Sequence, residues 1–173
     1  MESVRLQVSG NRIKANGRII AAATDSHPAF GAYYDLLTDE AGATKRLGMT
    51  VTVAERERVF SFARDEENMW LVTDHQGEHR AAYNGALDVD VEFSPFFNAL
   101  PIRRLGLYER AASVTLPVVY VNVPEMSITA DTVSYSSTGS LDEIKLRSPI
   151  SDTTVSVDDE GFIVDYPGLA ERI

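Results

Sequence analysis

The sequence predicts a mainly β protein with one short helix, and three observations support this fold class. Apolar and polar residues alternate with a period of two along most of the 173 residues. Turn-forming residues recur roughly every eight to twelve positions, and only the segment 94–106 abandons the alternation. Such alternation is typical of antiparallel strands with one buried face. Because no linker or low-complexity tract interrupts it, we expect residues 1–173 to form a single domain.

The first half of the chain predicts a meander of short strands. A Ser9-Gly10-Asn11 turn separates Val4–Val8 from Arg12–Ala15. The pair Asn16-Gly17, a strong hairpin signal, predicts a second turn before Ile19–Ala23. Further strands are expected at Ala32–Thr38, Leu47–Ala54, Arg58–Ala63 and Met69–Thr73.

The second half continues this pattern after an acidic strand at Asp88–Phe93. Turn residues such as Pro124 and Gly161 separate the strands that follow. These strands are expected at Ala112–Val123, Ser127–Tyr135, Leu141–Leu146, Thr153–Val157 and Phe162–Tyr166.

The segment after Phe93 predicts a short, bent helix. Ser94 is a suitable N-cap, and Pro95 stands at the first helical position, where its missing N–H costs nothing. We expect Pro101 to kink the helix, because its ring clashes with the carbonyl group of Phe97.

Composition and charge exclude several classes of function. The chain carries 26 Asp+Glu against 16 Lys+Arg, a formal net charge of −10, which disfavours nucleic acid as a partner. There is no cysteine, so disulfides and thiolate sites are excluded. No 18-residue apolar run and no signal-peptide pattern occur, so we expect a cytoplasmic chain without a membrane-spanning segment.

Three acidic residues deserve a chemical interpretation. Asp88, Asp90 and Glu92 alternate with apolar residues, so their carboxylates share one face of a strand. Such a set suits acid/base catalysis or a hard cation, with Arg103 and Arg104 as counterions. The alternatives are a solvated strand face, or ion pairs that hold the helix on the strand.

Motifs for other chemistry are weak or absent. His75 and His79 flank Gly77, which indicates a hairpin tip rather than a zinc-binding helix. His27 lies in a loop, and neither a nucleophile elbow nor a phosphate-binding motif occurs. We therefore expect a protein that is not an enzyme and needs no cofactor or metal.

The apolar strands are more informative. Both faces of Val114–Val123 are largely hydrophobic, and Met69–Val72 repeats this two-sided pattern. Something must cover both faces. We expect the helix to cover one, and either a subunit partner or an apolar ligand to cover the other.

Several residues could line a lipid site inside, or at the mouth of, a curved sheet. Aromatic side chains would contact the hydrocarbon, while amide, guanidinium and phenol groups would bind a headgroup. The candidate ligand-binding residues are Trp70, Phe96, Phe97, Asn98, Arg103, Arg104, Tyr120, Tyr135 and Tyr166.

Two segments carry a resemblance to a known family. They are the run Asp88–Leu107, which contains Pro-Phe-Phe-Asn-Ala-Leu-Pro-Ile-Arg-Arg, and the ending Val157–Leu169, which contains Asp-Tyr-Pro-Gly. Together with Val118–Pro124 they resemble the bacterial family named "putative glycolipid-binding". The first 80 residues fit more loosely, since Ala43 and Thr44 stand where the family has a tryptophan before the basic pair Lys45-Arg46.

The resemblance implies an antiparallel spiral β-roll wrapped around a single short kinked helix, and a homodimer. It also implies binding of a lipid or glycolipid. Three hypotheses follow: a non-enzymatic lipid-binding or glycolipid-binding protein, a structural homodimer with a solid core and no small-molecule ligand, and an enzyme that uses the acidic strand.

Overall fold

The computed structural model describes all residues, 1–173. The chain forms two seven-stranded sheets and one α-helix. The N-terminal sheet is an antiparallel meander in which each strand pairs with the next along the chain. Its strands are β1 (Glu2–Ser9), β2 (Arg12–Ala21), β3 (Phe30–Thr38), β4 (Thr44–Val53), β5 (Arg56–Arg64), β6 (Trp70–Asp74) and β7 (Gly77–Ala81).

The C-terminal sheet is also ordered along the chain, but its first pair, β8 with β9, is parallel. A parallel pair needs a crossover connection, and the helix lies in it. The strands are β8 (Asp88–Val91), β9 (Ala111–Asn122), β10 (Ser127–Thr138), β11 (Ile144–Ser148), β12 (Ser151–Val157), β13 (Ile163–Tyr166) and β14 (Ala170–Glu171).

The helix α1 (Pro95–Leu105) begins and ends where the sequence predicts. Ser94 occupies the N-cap position and Pro95 the first helical position. Gly106 ends the helix with a φ of 62°, a left-handed conformation that glycine adopts without a steric penalty. Residues 95–102 are all buried, so the helix lies inside the protein.

The predicted fold class is confirmed. The protein is mainly β, with 59% of residues in strands and 8% helical, and its sheet curls into a half-barrel accompanied by one helix. None of its helices is both long and apolar enough to cross a bilayer.

The strands β8 and β9 lie between two hydrophobic cores. Val89, Val91, Val119 and Val121 pack into the same core as the N-terminal sheet. On the opposite face, Tyr120 and other residues of β9 pack with β10–β13. The expectation that a partner subunit or a ligand covers the second face is therefore wrong: the chain's own N-terminal sheet covers it.

The expectation that both faces of Met69–Val72 are covered is also wrong. Trp70 and Val72 are fully buried, but Leu71 is 40% exposed on the outer face of the sheet. A short run of apolar residues does not reveal by itself which faces are covered.

Asn16-Gly17 does not form the predicted hairpin turn. Both residues lie inside β2, where Gly17 pairs with Val4 on one side and Tyr34 on the other. A Cβ atom on Gly17 would lie 2.0 Å from Cζ of Tyr34. Glycine is therefore needed here because a buried aromatic ring lies directly over the backbone.

Candidate functional site

An open groove of about 660 Å³ lies between two hairpin tips. One tip joins β4 to β5, and the other joins β9 to β10. Each contains a non-glycine residue with positive φ, Ala54 at 53° and Met126 at 62°. Both are therefore tight turns that bring side chains from adjoining strands to the groove.

The floor of the groove is apolar. Val51 is 2% exposed, Met126 is 5% exposed, and Pro124 is also buried. Val53, Ala54 and Pro28 complete the apolar lining nearer the surface. Ligand pockets in proteins typically have volumes of roughly 300–1,000 Å³ and mostly apolar walls. The groove has the size and character of such a pocket.

The rim of the groove carries equal numbers of acidic and basic side chains. Glu55 and Glu125 stand against Arg56 and Arg58, so these four side chains have no formal net charge. Nη1 of Arg58 donates a hydrogen bond of 3.4 Å to the carbonyl oxygen of Glu125, which links the two hairpin tips. An apolar floor below a polar rim is suited to an amphipathic molecule.

A second, much smaller concavity, which we call the niche, lies beside β8 and the first half of α1. Its volume of about 10 Å³ is about what one water molecule requires. No Lys, Arg or His lines it. It is lined by Asp90, Val91, Glu92, Phe93, Ser94, Asn98, Tyr120, Ser148, Ile150, Tyr166 and Leu169.

Asp90 is the most strongly perturbed acid of the niche. It is 6% exposed, and Nδ2 of Asn98 donates a hydrogen bond of 3.1 Å to its Oδ1. Burial, assisted by the charges of Asp88, Asp131 and Glu92, raises the pKa of Asp90 to about 7, although the bond from Asn98 acts in the opposite direction. Asp90 is therefore partly protonated near neutral pH.

Two other polar groups in the niche have no partner. The hydroxyl of Tyr120 and Oε2 of Glu92 are buried without a hydrogen bond. Burial raises the pKa of both residues, and the Glu92 charge contributes to the shift at Tyr120. An unpaired buried polar group costs roughly 1–3 kcal/mol, so these atoms are available to a donor or acceptor that enters the niche.

Asp88 lies outside the niche. Nη2 of Arg104 contacts its Oδ2 at 2.5 Å, with the two side chains 13% and 2% exposed. Burial nevertheless raises the pKa of Asp88, because desolvation outweighs the neighbouring guanidinium. Of the alternatives for the acidic strand, the solvated face is wrong, and an ion pair does hold α1 on β8.

The first strand is tied to the start of α1 by a buried acid that the sequence did not single out. Glu2 accepts hydrogen bonds from the Ser94 hydroxyl and, at 2.8 Å, from the Tyr34 hydroxyl. Burial raises its pKa. Because the Ser94 hydroxyl bonds to Glu2, it does not cap its own helix.

The candidate ligand residues fall into separate environments. Asn98, Tyr120 and Tyr166 meet at the niche. Trp70 is completely buried, and its indole N–H donates to the carbonyl oxygen of Ala86 at 2.8 Å. Phe97 is 1% exposed.

Phe96 and Phe97 both pack against the Tyr34 ring, with centroid distances of 6.1 and 5.0 Å. Tyr135 is buried with the C-terminal sheet. The guanidinium of Arg103 lies 4.2 Å from the Phe162 ring centroid, away from Arg104. None of the nine candidate residues lines the groove.

Sequence reasoning missed the groove residues. The two hairpin tips that form the groove are about 70 positions apart in the chain, and no local sequence pattern shows that they meet. The one available signal was the apolar residues near each predicted turn, Val51 and Val53 before the first and Pro124 and Met126 in the second.

Comparisons with known proteins place this chain in context. A family model described as "putative glycolipid-binding" matches residues 1–172. A crystal structure of a DUF1089 family protein from Pseudomonas aeruginosa is similar in fold, with a TM-score of 0.78 and 23% sequence identity. The alignment covers 99% of this chain and 92% of that chain. No curated protein matches.

Proposed function

Since the chain belongs to the "putative glycolipid-binding" family, we propose that it is a non-enzymatic protein that binds a lipid or glycolipid in the groove at the mouth of the roll. The observation that carries the proposal is the groove itself, which has a volume of about 660 Å³ and an apolar floor beneath a charged rim. The hydrocarbon part of the ligand would lie on Val51, Val53 and Met126. Its headgroup would lie at the rim.

The mouth suits a ligand better than the interior of the roll. Trp70 and Phe97, which the sequence suggested as interior contacts, are 0% and 1% exposed and belong to the packed core. A ligand chain there would have to displace side chains that already fill the space.

The rim favours a neutral headgroup. Its two carboxylates and two guanidinium groups have no formal net charge, and the whole chain carries −10. An anionic headgroup would approach a negatively charged protein without a net positive rim to offset the repulsion. A sugar can instead use all four rim side chains as donors and acceptors.

Magnitudes predict moderate affinity. About a dozen methylene groups at ~0.8 kcal/mol each contribute roughly 10 kcal/mol when fully buried. Association itself costs on the order of 4–15 kcal/mol. An open groove buries the chain only partly, so we expect dissociation constants nearer micromolar than nanomolar.

The proposal is tested with one groove variant and a matched control on the same hairpin. Val53→Glu places a carboxylate in the apolar lining, whereas Val59→Glu places it on the outer face, where Val59 is 61% exposed. Desolvating the new charge should weaken binding of octyl glucoside by roughly tenfold or more in Val53→Glu only. Isothermal calorimetry below the critical micelle concentration measures this.

Two results would contradict the proposal. One is a parent protein, stripped of co-purified lipid, that binds no amphiphile. The other is equal loss of affinity in both valine variants, which would place the ligand elsewhere or indicate non-specific adsorption.

A further inference from the structure

The niche contains a donor and an acceptor without partners. Tyr120 is 6% exposed, and its hydroxyl has no hydrogen bond. Oε2 of Glu92 is also buried without one. Two other polar side chains of the niche are already engaged: Asn98 donates to Asp90, and Ser94 donates to Glu2.

The chemistry of this pair selects its ligand. A phenol hydroxyl can donate one hydrogen bond, whereas a carboxylate can only accept. A hydroxyl group satisfies both, since it accepts from Tyr120 and donates to Glu92. An ammonium group has no lone pair for Tyr120, and a sulfate has no proton for Glu92.

Charge and size narrow the choice further. Asp90 and Glu92 line the niche without any Lys, Arg or His, so an anion is repelled. The volume of about 10 Å³ admits one oxygen-sized group and not a sugar ring. A ligand can therefore insert only a single projecting hydroxyl.

The niche lies near the groove. Phe93, a niche residue, packs against His27 with ring centroids 5.1 Å apart, and the next residue, Pro28, lines the groove. The Glu125 charge, at the groove rim, contributes to the raised pKa of Glu92. The two concavities are thus linked through the contact between His27 and Phe93.

We propose that the niche is a headgroup subsite that binds one hydroxyl of a neutral sugar or polyol through Tyr120 and Glu92. This rests on the proposed function, because the rest of the same ligand lies in the groove. The subsite makes the protein selective for hydroxyl-bearing over anionic amphiphiles. Without ligand, a water molecule can occupy the niche.

The test compares two amphiphiles with the same chain, octyl glucoside and octyl sulfate, by calorimetry below their critical micelle concentrations. The parent should bind octyl glucoside more tightly. Tyr120→Phe removes the donor, and we expect it to weaken octyl glucoside binding about threefold to tenfold while leaving octyl sulfate binding unchanged. Tyr33→Phe, on the outer face of the N-terminal sheet, should change neither.

A stability measurement shows whether Tyr120→Phe still folds. Because no protein atom forms a hydrogen bond with the Tyr120 hydroxyl, its removal should leave the urea midpoint unchanged or raise it. Loss of binding in a less stable variant would instead indicate a folding role and overturn the subsite.

The outcomes separate the two proposals. If neither amphiphile binds the parent, the groove proposal fails and the subsite fails with it. If both bind the parent equally, or Tyr120→Phe keeps the parent's preference, the groove stands and the niche holds an adventitious water only.

Discussion

The buried carboxyl of Asp90 makes a strong prediction about stability. Asp90 lies on β8, is 6% exposed and accepts one hydrogen bond, from Asn98. Its pKa is raised from an ordinary value of 3.8 to about 7, chiefly by burial. We predict that Asp90→Asn stabilises the protein above neutral pH.

The direction of this stability change follows from the linkage between proton binding and folding. The folded state holds this proton more strongly than the unfolded state, so the contribution of Asp90 to stability is fully present below pH 3.8 and is lost as the pH rises towards 7. The difference between a pKa of 3.8 and a pKa of about 7 corresponds to roughly 4 kcal/mol, at about 1.36 kcal/mol for each pKa unit. Asn cannot ionise, and its amide oxygen can still accept the bond from Asn98.

Urea denaturation between pH 4 and pH 9 measures the effect, with the single, fully buried Trp70 as the fluorescent probe. Comparing Asp90→Asn with the parent at each pH cancels the contributions of other acids. We expect little difference at pH 4 and a variant more stable by up to about 4 kcal/mol at pH 8.

A control and a contrary result complete this test. Asp142→Asn, at an exposed position, should match the parent at every pH. A difference between Asp90→Asn and the parent that stayed constant from pH 4 to pH 9 would refute the reasoning, because it would mean that Asp90 titrates alike in the folded and unfolded states.

Two further predictions concern packing and charge. Gly17→Ala should destabilise the protein by roughly 1–3 kcal/mol, because the new Cβ atom would overlap the buried Tyr34 ring. The control is Gly48→Ala, whose new Cβ atom has no other atom within 4 Å and should leave stability unchanged or raise it. Thermal melts measure both variants. Arg104→Met should cost about 3–5 kcal/mol at neutral pH, because it leaves the buried Asp88 without its ion-pair partner. Adding Asp88→Asn should recover part of that loss in urea titrations, and equal stabilities for the single and double variants would contradict this.

The helix and most strands could be predicted because their signals are local. Ser94, Pro95 and Gly106 mark the ends of α1 through backbone preferences that act within a few residues. Ser9-Gly10-Asn11 likewise forms the first turn as predicted. The unpredicted β7 is a short strand of polar, mostly exposed residues that carries no alternating signal.

The candidate site was predictable only in part. Asn98 and Tyr120 do meet, yet the sequence grouped them with Trp70, which lies in a different, packed core. The chemical groups that could bind a ligand are the same wherever these side chains lie in the fold. Which of them share a cavity depends on how the two sheets pack, and this is not encoded in any short segment.

Period-two alternation and turn chemistry thus determined from sequence alone that the chain is mainly β with one short helix, because each depends on the conformational preferences of neighbouring residues. Only the tertiary structure decided that Gly17 lies within a strand beneath Tyr34, that β8 and β9 are covered on both faces by their own chain, and that two distant hairpin tips form the groove. These features depend on contacts between residues far apart in sequence. Burial, and with it the raised pKa of Asp90, arises from such contacts and not from the residue itself.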